Sequence, residues 1–162
     1  SYIDVIRKDP TGHTHVLLMR TLSKFGLAGV RLGYMMGAKV LIAEVDKVRP
    51  PYNISVLNAE CALFALEHAD VFAAQALDIR AQRAMLFEAL KAMPGVQAFP
   101  SDANMVLVRV SDAAKTFAGM KARKVLIKNV SGLHPLLANC LRLTVGTANE
   151  NAQMLAALKA SL

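Results

Sequence analysis

This sequence lacks several things that usually announce a function. It has no tryptophan, only two cysteines, and 6% aromatic residues. So few rings disfavour a surface that holds nucleic-acid bases by stacking, and no run of basic residues supplies the stripe of positive charge such partners require. The net charge of +7 is dispersed, with residues 38–70 net acidic and the rest net basic. Small anions such as phosphates and carboxylates are therefore the expected ligands, and no nucleic acid is. Cys61 and Cys140 lie far apart without a CxxC pairing, and Cys61 sits in the apolar run AECALFAL, so both read as reduced, packed thiols. His13, His15, His68 and His134 show neither HExxH nor any comparable ligand spacing, and no metal is expected. No stretch approaches the roughly 18 to 20 apolar residues of a membrane helix, and SYIDVIRKDP has neither the basic start nor the apolar core of a signal peptide. The expectation is a soluble, cytoplasmic protein with no membrane partner.

What is present is apolar. Across 162 residues the apolar fraction is 54% and the mean hydropathy +0.36. That length can bury a core of its own, but such apolarity is high for a soluble domain and implies helix faces or strands that expect a partner. The chain reads as a piece of something larger. Residues 15–20 predict a buried strand and 31–36 another, with a glycine-containing loop between them. Residues 38–48 follow a helical pattern closed by Pro50 and Pro51. A second helix is predicted over 55–69, with Ser55 or Asn53 as its N-cap, and a long one over 70–93, ending at Pro94 and Gly95. Beyond that point four short strands, 96–99, 105–110, 124–129 and 140–145, alternate with helices near 111–123 and 148–161. This pattern predicts a small α+β unit, with a boundary near residue 75.

The stretch MRTLSKFGLAGVRLGYMMG, residues 19–37, poses the chemical question. A lysine at a strand-to-loop junction is a nucleophile only when neutral, and a free amine with a pKa near 10.4 is almost wholly protonated at neutral pH. A neighbouring cation depresses that pKa, and a neutral amine condenses with an aldehyde to make a covalent tether. Arg31 lies seven residues after Lys24, across a loop in which Gly26 and Gly29 allow sharp turning and close approach. Thr21 and Ser23 add hydroxyls beside the lysine. Lysine, hydroxyls and arginine together suit an aldehyde that also carries a phosphate. A P-loop needs its lysine after the glycines, and a dinucleotide fingerprint needs GxGxxG; neither pattern is met.

The string TLSKFGLAGVRLGY closely resembles the cofactor-lysine motif of the fold-type I, pyridoxal-phosphate-dependent aminotransferases. The resemblance continues through KVRPPYN, VLIKNV and LRLTVGTANENAQML and covers essentially the whole chain. It implies an α/β fold in which residues 1–75 form the C-terminal part of the large cofactor-binding domain and 76–162 a small α+β C-terminal domain. It implies pyridoxal 5'-phosphate as cofactor, Lys24 as the lysine that carries it and shuttles the proton, and Ser23, Arg31 and, more weakly, Thr21 as holders of its phosphate. Between Lys24 and Arg31 the loop is one residue shorter than the S-K-x-F-G-L-A-G form of many members.

On an alternating strand Cys140, Arg142 and Thr144 share one face and Leu141, Leu143 and Val145 the other. The resemblance makes Arg142 the residue that holds the substrate's α-carboxylate and Lys128 a cation facing its phosphate, a lysine where the family often has an arginine. Tyr52, Asn53 and Asn104 read as turn residues. The activity implied is amino-group transfer between histidinol phosphate and 2-oxoglutarate in histidine biosynthesis, by a ping-pong mechanism in a homodimer. Another amino or amino-phosphate substrate of the superfamily, including phosphothreonine decarboxylation, and a non-catalytic effector domain are the alternatives. Family members also carry, upstream of the matching segment, a D-E-A-Y-type motif whose acid and tyrosine serve the cofactor ring; Asp4 and Tyr2 stand in no such motif. The expectation is therefore that the segment by itself has little activity.

Overall fold

Ile3 and Ile6 are one turn apart, and with Ser1 ahead of them they nucleate a short helix, α1 (Tyr2–Lys8). The amino terminus of Ser1 bonds the Asp4 carboxylate at 2.9 Å. That contact draws the Asp4 pKa below its ordinary value. The computed structural model describes all 162 residues and divides them into two units, Ser1–Ala73 and Ala74–Leu162.

In the first unit β1 (Leu18–Thr21) pairs antiparallel with β2 (Gly33–Met36), Thr21 lying opposite Gly33. Two 3-10 turns, Leu22–Phe25 and Ala28–Val30, connect the strands. Helix α2 (Lys39–Val48) stops ahead of Pro50 and Pro51, which cannot continue it. Helix α3 (Val56–Glu67) is capped by Ser55, whose Oγ accepts the Asn58 N–H at 3.1 Å. The long helix α4 (Ala69–Lys91) begins here and continues in the second unit.

Two expectations are corrected in this unit. The first strand is not buried: Met19 is 71% exposed, because β1 has β2 as its only neighbour. Cys61 is not packed either. On α3 the buried positions are Ala62 and Ala65, and Cys61 points outward with Val56, Leu57, Leu63, Phe64 and Leu66. With Leu22 these two alanines are the buried apolar residues of the unit.

The second unit has a core. Strands β3 (Gln97–Phe99), β4 (Met105–Arg109), β5 (Lys128–Asn129) and β6 (Cys140–Thr144) form an antiparallel sheet in the order β3-β4-β6-β5. Alternation sends Val106, Val108, Leu141 and Leu143 inward. They meet Leu86 and Leu90 of α4, Met120 of α5 (Ala113–Ala122) and Leu158 of α6 (Ala148–Lys159) in one cluster. Asp112 caps α5, accepting the Lys115 N–H at 2.9 Å. Buried Asn151 closes the turn before α6, accepting from the Gly146 N–H at 2.9 Å and donating to the Gly146 carbonyl at 3.0 Å.

The strand expected over 124–129 pairs only at Lys128 and Asn129. Lys124 adopts a left-handed φ of 63°, and the Val125 N–H bonds the Met120 carbonyl, so this stretch first closes the end of α5. No helix of the chain is long and apolar enough to cross a membrane.

Candidate functional site

The 3-10 turn Leu22–Phe25 presents the lysine. Residues three apart eclipse one another in such a turn, so Leu22 and Phe25 share a side. Leu22 is buried, and Phe25 stacks on Phe72 at 4.7 Å between ring centroids. Lys24 projects elsewhere and is exposed. Thr21 caps the turn: its Oγ1 accepts the Ser23 N–H at 3.1 Å and donates to Ser23 Oγ at 2.9 Å. Gly26 ends the turn at φ 93°, a conformation side-chain-bearing residues rarely adopt. Met19, Arg20, Thr21 and Lys24 line a hollow of about 380 Å³.

Of the two loop glycines, only Gly26 takes a positive φ; the second left-handed position falls on Arg31, at φ 54°. The Arg31 guanidinium donates to the Ala28 carbonyl at 3.4 Å and is otherwise free, on an exposed side chain. Thr21, Ser23 and Lys24 thus share one turn, with Arg31 following the next. A roomier hollow of about 530 Å³ in the same unit is lined by Leu22, Leu32, Tyr34, Ala59, Ala62, Leu63 and Leu66, and holds no nucleophile beyond a phenol. No cluster of three or more metal-ligating side chains occurs.

In the second unit Lys128 on β5 lies directly opposite Arg142 on β6. Both are exposed and neither forms an ion pair. Like charges in direct cross-strand register repel and destabilise a sheet, so the arrangement suits an anion that joins them. Arg109, which no sequence pattern singled out, supports this edge. Its guanidinium donates to the Leu136 carbonyl at 2.7 Å and the Ala138 carbonyl at 3.1 Å, fastening the loop that leads into β6. Tyr52 lies in a turn, as its sequence context suggested, but it is 99% exposed and held at φ 59°, unusual for a bulky residue.

The model of the family described as aminotransferase class I and II matches residues 3–158. The chain belongs to the aminotransferase class I and II family. Among its relatives, the histidinol-phosphate aminotransferase of Polaromonas naphthalenivorans (strain CJ2) is 78% identical over 150 residues, which are 93% of this chain and 41% of that protein. The solved histidinol-phosphate aminotransferase from Clostridium acetobutylicum matches 98% of the chain and 48% of its own, with a TM-score of 0.84 and 22% identity, a likeness of fold. The one from Sinorhizobium meliloti, solved in complex with pyridoxal-5'-phosphate, matches 90% of the chain and 40% of its own, with a TM-score of 0.70 and 26% identity. The α/β, fold-type I architecture expected of an aminotransferase is therefore the observed one. The chain spans less than half the length of the curated relatives it matches.

Proposed function

We propose that this chain supplies the cofactor-lysine segment and the C-terminal domain of a pyridoxal-phosphate-dependent aminotransferase that moves an amino group between histidinol phosphate and 2-oxoglutarate. Residues 1–75 belong in this reading to the large domain and 76–162 to the small one, in a cytoplasmic homodimer that takes small-molecule substrates and contributes to histidine biosynthesis. The observation that carries the substrate assignment is the Lys128–Arg142 pair, two unneutralised cations in direct register.

The residues of the Lys24 turn fit pyridoxal 5'-phosphate by their chemistry. The Thr21 and Ser23 hydroxyls lie 2.9 Å apart beside the lysine, and most of the Arg31 fork is unused. Thr21, Ser23 and Arg31 would hold the phosphate, and Lys24 would hold the aldehyde carbon. When bound, the cofactor supplies an electron sink for the carbon that loses its proton. Lys24 Nζ, once free, takes that proton and returns it, a task that requires the amine neutral. Arg142 fixes the α-carboxylate with a planar fork suited to two oxygens, and Lys128 holds the phosphate as a point charge.

The test measures amino-group transfer to 2-oxoglutarate in the complete enzyme bearing these residues. Lys128→Ala is expected to lower kcat/KM for histidinol phosphate far more than for histidinol, because only the first loses an ion pair. Arg142→Ala is expected to weaken 2-oxoglutarate, whose α-carboxylate it holds, by about 1.5 to 3 kcal/mol for a charge-assisted hydrogen-bonded contact. Equal losses from Lys128→Ala on the two substrates would remove the phosphate assignment.

A further inference from the structure

Helix α4 begins with a run of exposed residues, and Phe72 is the exception. From Ala69 to Ala81 it is the only residue not exposed. What covers it is the lysine turn. Its ring stacks on Phe25 at 4.7 Å and 28° between planes. It also passes over Gly26, where an added Cβ would meet the ring atoms Cδ1 and Cε1 at 3.5 Å. Gly26 is the left-handed stop of the turn that presents Lys24, so Phe72 touches both the last residue of that turn and its terminator.

We infer that Phe72 is a positioning residue for Lys24, an inference that rests on Lys24 being the cofactor lysine. A four-residue 3-10 turn has poor hydrogen-bond geometry and little stability of its own. Its rotation about its axis is set by what its side chains pack on. Leu22 provides one anchor and Phe25, on the same side, the other; the second holds only because Phe72 lies beneath it. With both anchors in place Lys24 is aimed to the opposite side, toward the hollow it lines with Thr21. Without the stack the turn keeps one anchor and can roll, which spreads the amine over many directions. Phe72 itself meets no reacting atom.

The test uses the full chain with pyridoxal phosphate as probe. The adduct is trapped with borohydride and located by peptide mapping, with Lys39 as internal control, and amide hydrogen exchange is followed over residues 22–30. The parent is expected to label chiefly at Lys24. In Phe72→Ala the Lys24-to-Lys39 labelling ratio should fall by about threefold to tenfold, the range that loss of one aromatic pair corresponds to. Protection of the Leu27 N–H, which bonds the Leu22 carbonyl at 3.2 Å, should fall with it. Phe72→Tyr, which keeps the ring, should restore both, and helix content by circular dichroism should be equal in all three chains. Labelling and exchange unchanged in Phe72→Ala overturn the positioning role alone. Equal labelling of Lys24 and Lys39 in the parent overturns the cofactor-lysine reading and this inference together.

Discussion

Arg31 shows what a single residue can reveal. A left-handed backbone costs a side-chain-bearing residue about 1 kcal/mol, and glycine occupies it freely. Arginine nevertheless occupies φ 54° in a loop that already contains Gly26 and Gly29, and in the proposed reading its guanidinium is what the position requires. Arg31→Gly relieves the strain while adding freedom to the unfolded chain. The two effects, each about 0.4 to 1 kcal/mol, offset one another, so the melting temperature should change little. Affinity for pyridoxal phosphate should nevertheless drop, and affinity for phosphate-free pyridoxal should not. Comparing the two ligands by calorimetry checks this; parallel losses would mean that Arg31 serves the fold and not the anion.

Among the elements, α6 has the most legible beginning. Thr147 and Glu150 form a reciprocal cap, in which the Glu150 carboxylate accepts the Thr147 N–H and hydroxyl at 2.8 Å each. The backbone bond first, and the hydroxyl second, hold the Glu150 pKa below its ordinary value. The folded value lies below the unfolded one, so this stabilisation is complete above the unfolded pKa and disappears as pH falls through the folded pKa. Glu150→Gln keeps a capping side chain without the charge. Thermal melts from neutral pH into the acid range should show the parent losing its margin over the variant as Glu150 is protonated; parallel curves would refute the linkage. Thr147→Ala should cost about 1 kcal/mol at neutral pH.

The same local rules explain what could be read in advance and what could not. Helix α3 was legible through Ser55, β4 through its short apolar run and β6 through alternation, because those signals lie within a few residues of what they determine. Of the edge strand expected over 124–129 only Lys128 and Asn129 pair, since Lys124 turns left-handed to finish α5 and the Val125 N–H bonds the Met120 carbonyl of that helix. The two 3-10 turns around Lys24 carry no periodicity long enough to detect. Lys128 and Arg142 were singled out separately as cations, but their mutual register depends on the whole β5–β6 connection and on Arg109 fastening it. Tyr52 reads as an ordinary turn residue until its φ is known.

At the scale of the whole molecule, the two units differ in how much they bury. The second has a continuous cluster from α4, β4, α5, β6 and α6, whereas the first buries Leu22, Ala62 and Ala65. Resistance to local opening follows buried apolar contact. Limited proteolysis of the chain should therefore cut first among residues 1–73 and leave a lasting product that ends at Leu162, identified by mass spectrometry. Equal cutting in both units would contradict this.

Helix α3 extends that contrast beyond the test tube. A helix whose apolar residues spread well beyond the face it buries is one that other protein is suited to cover, and on α3 Val56, Leu57, Leu63, Phe64 and Leu66 face water. Cellular quality control reads such a surface as an unfinished polypeptide, and chaperones and proteases compete for it. How long a protein carrying this helix persists in a cell will depend less on its well-packed sheet than on how soon α3 is covered.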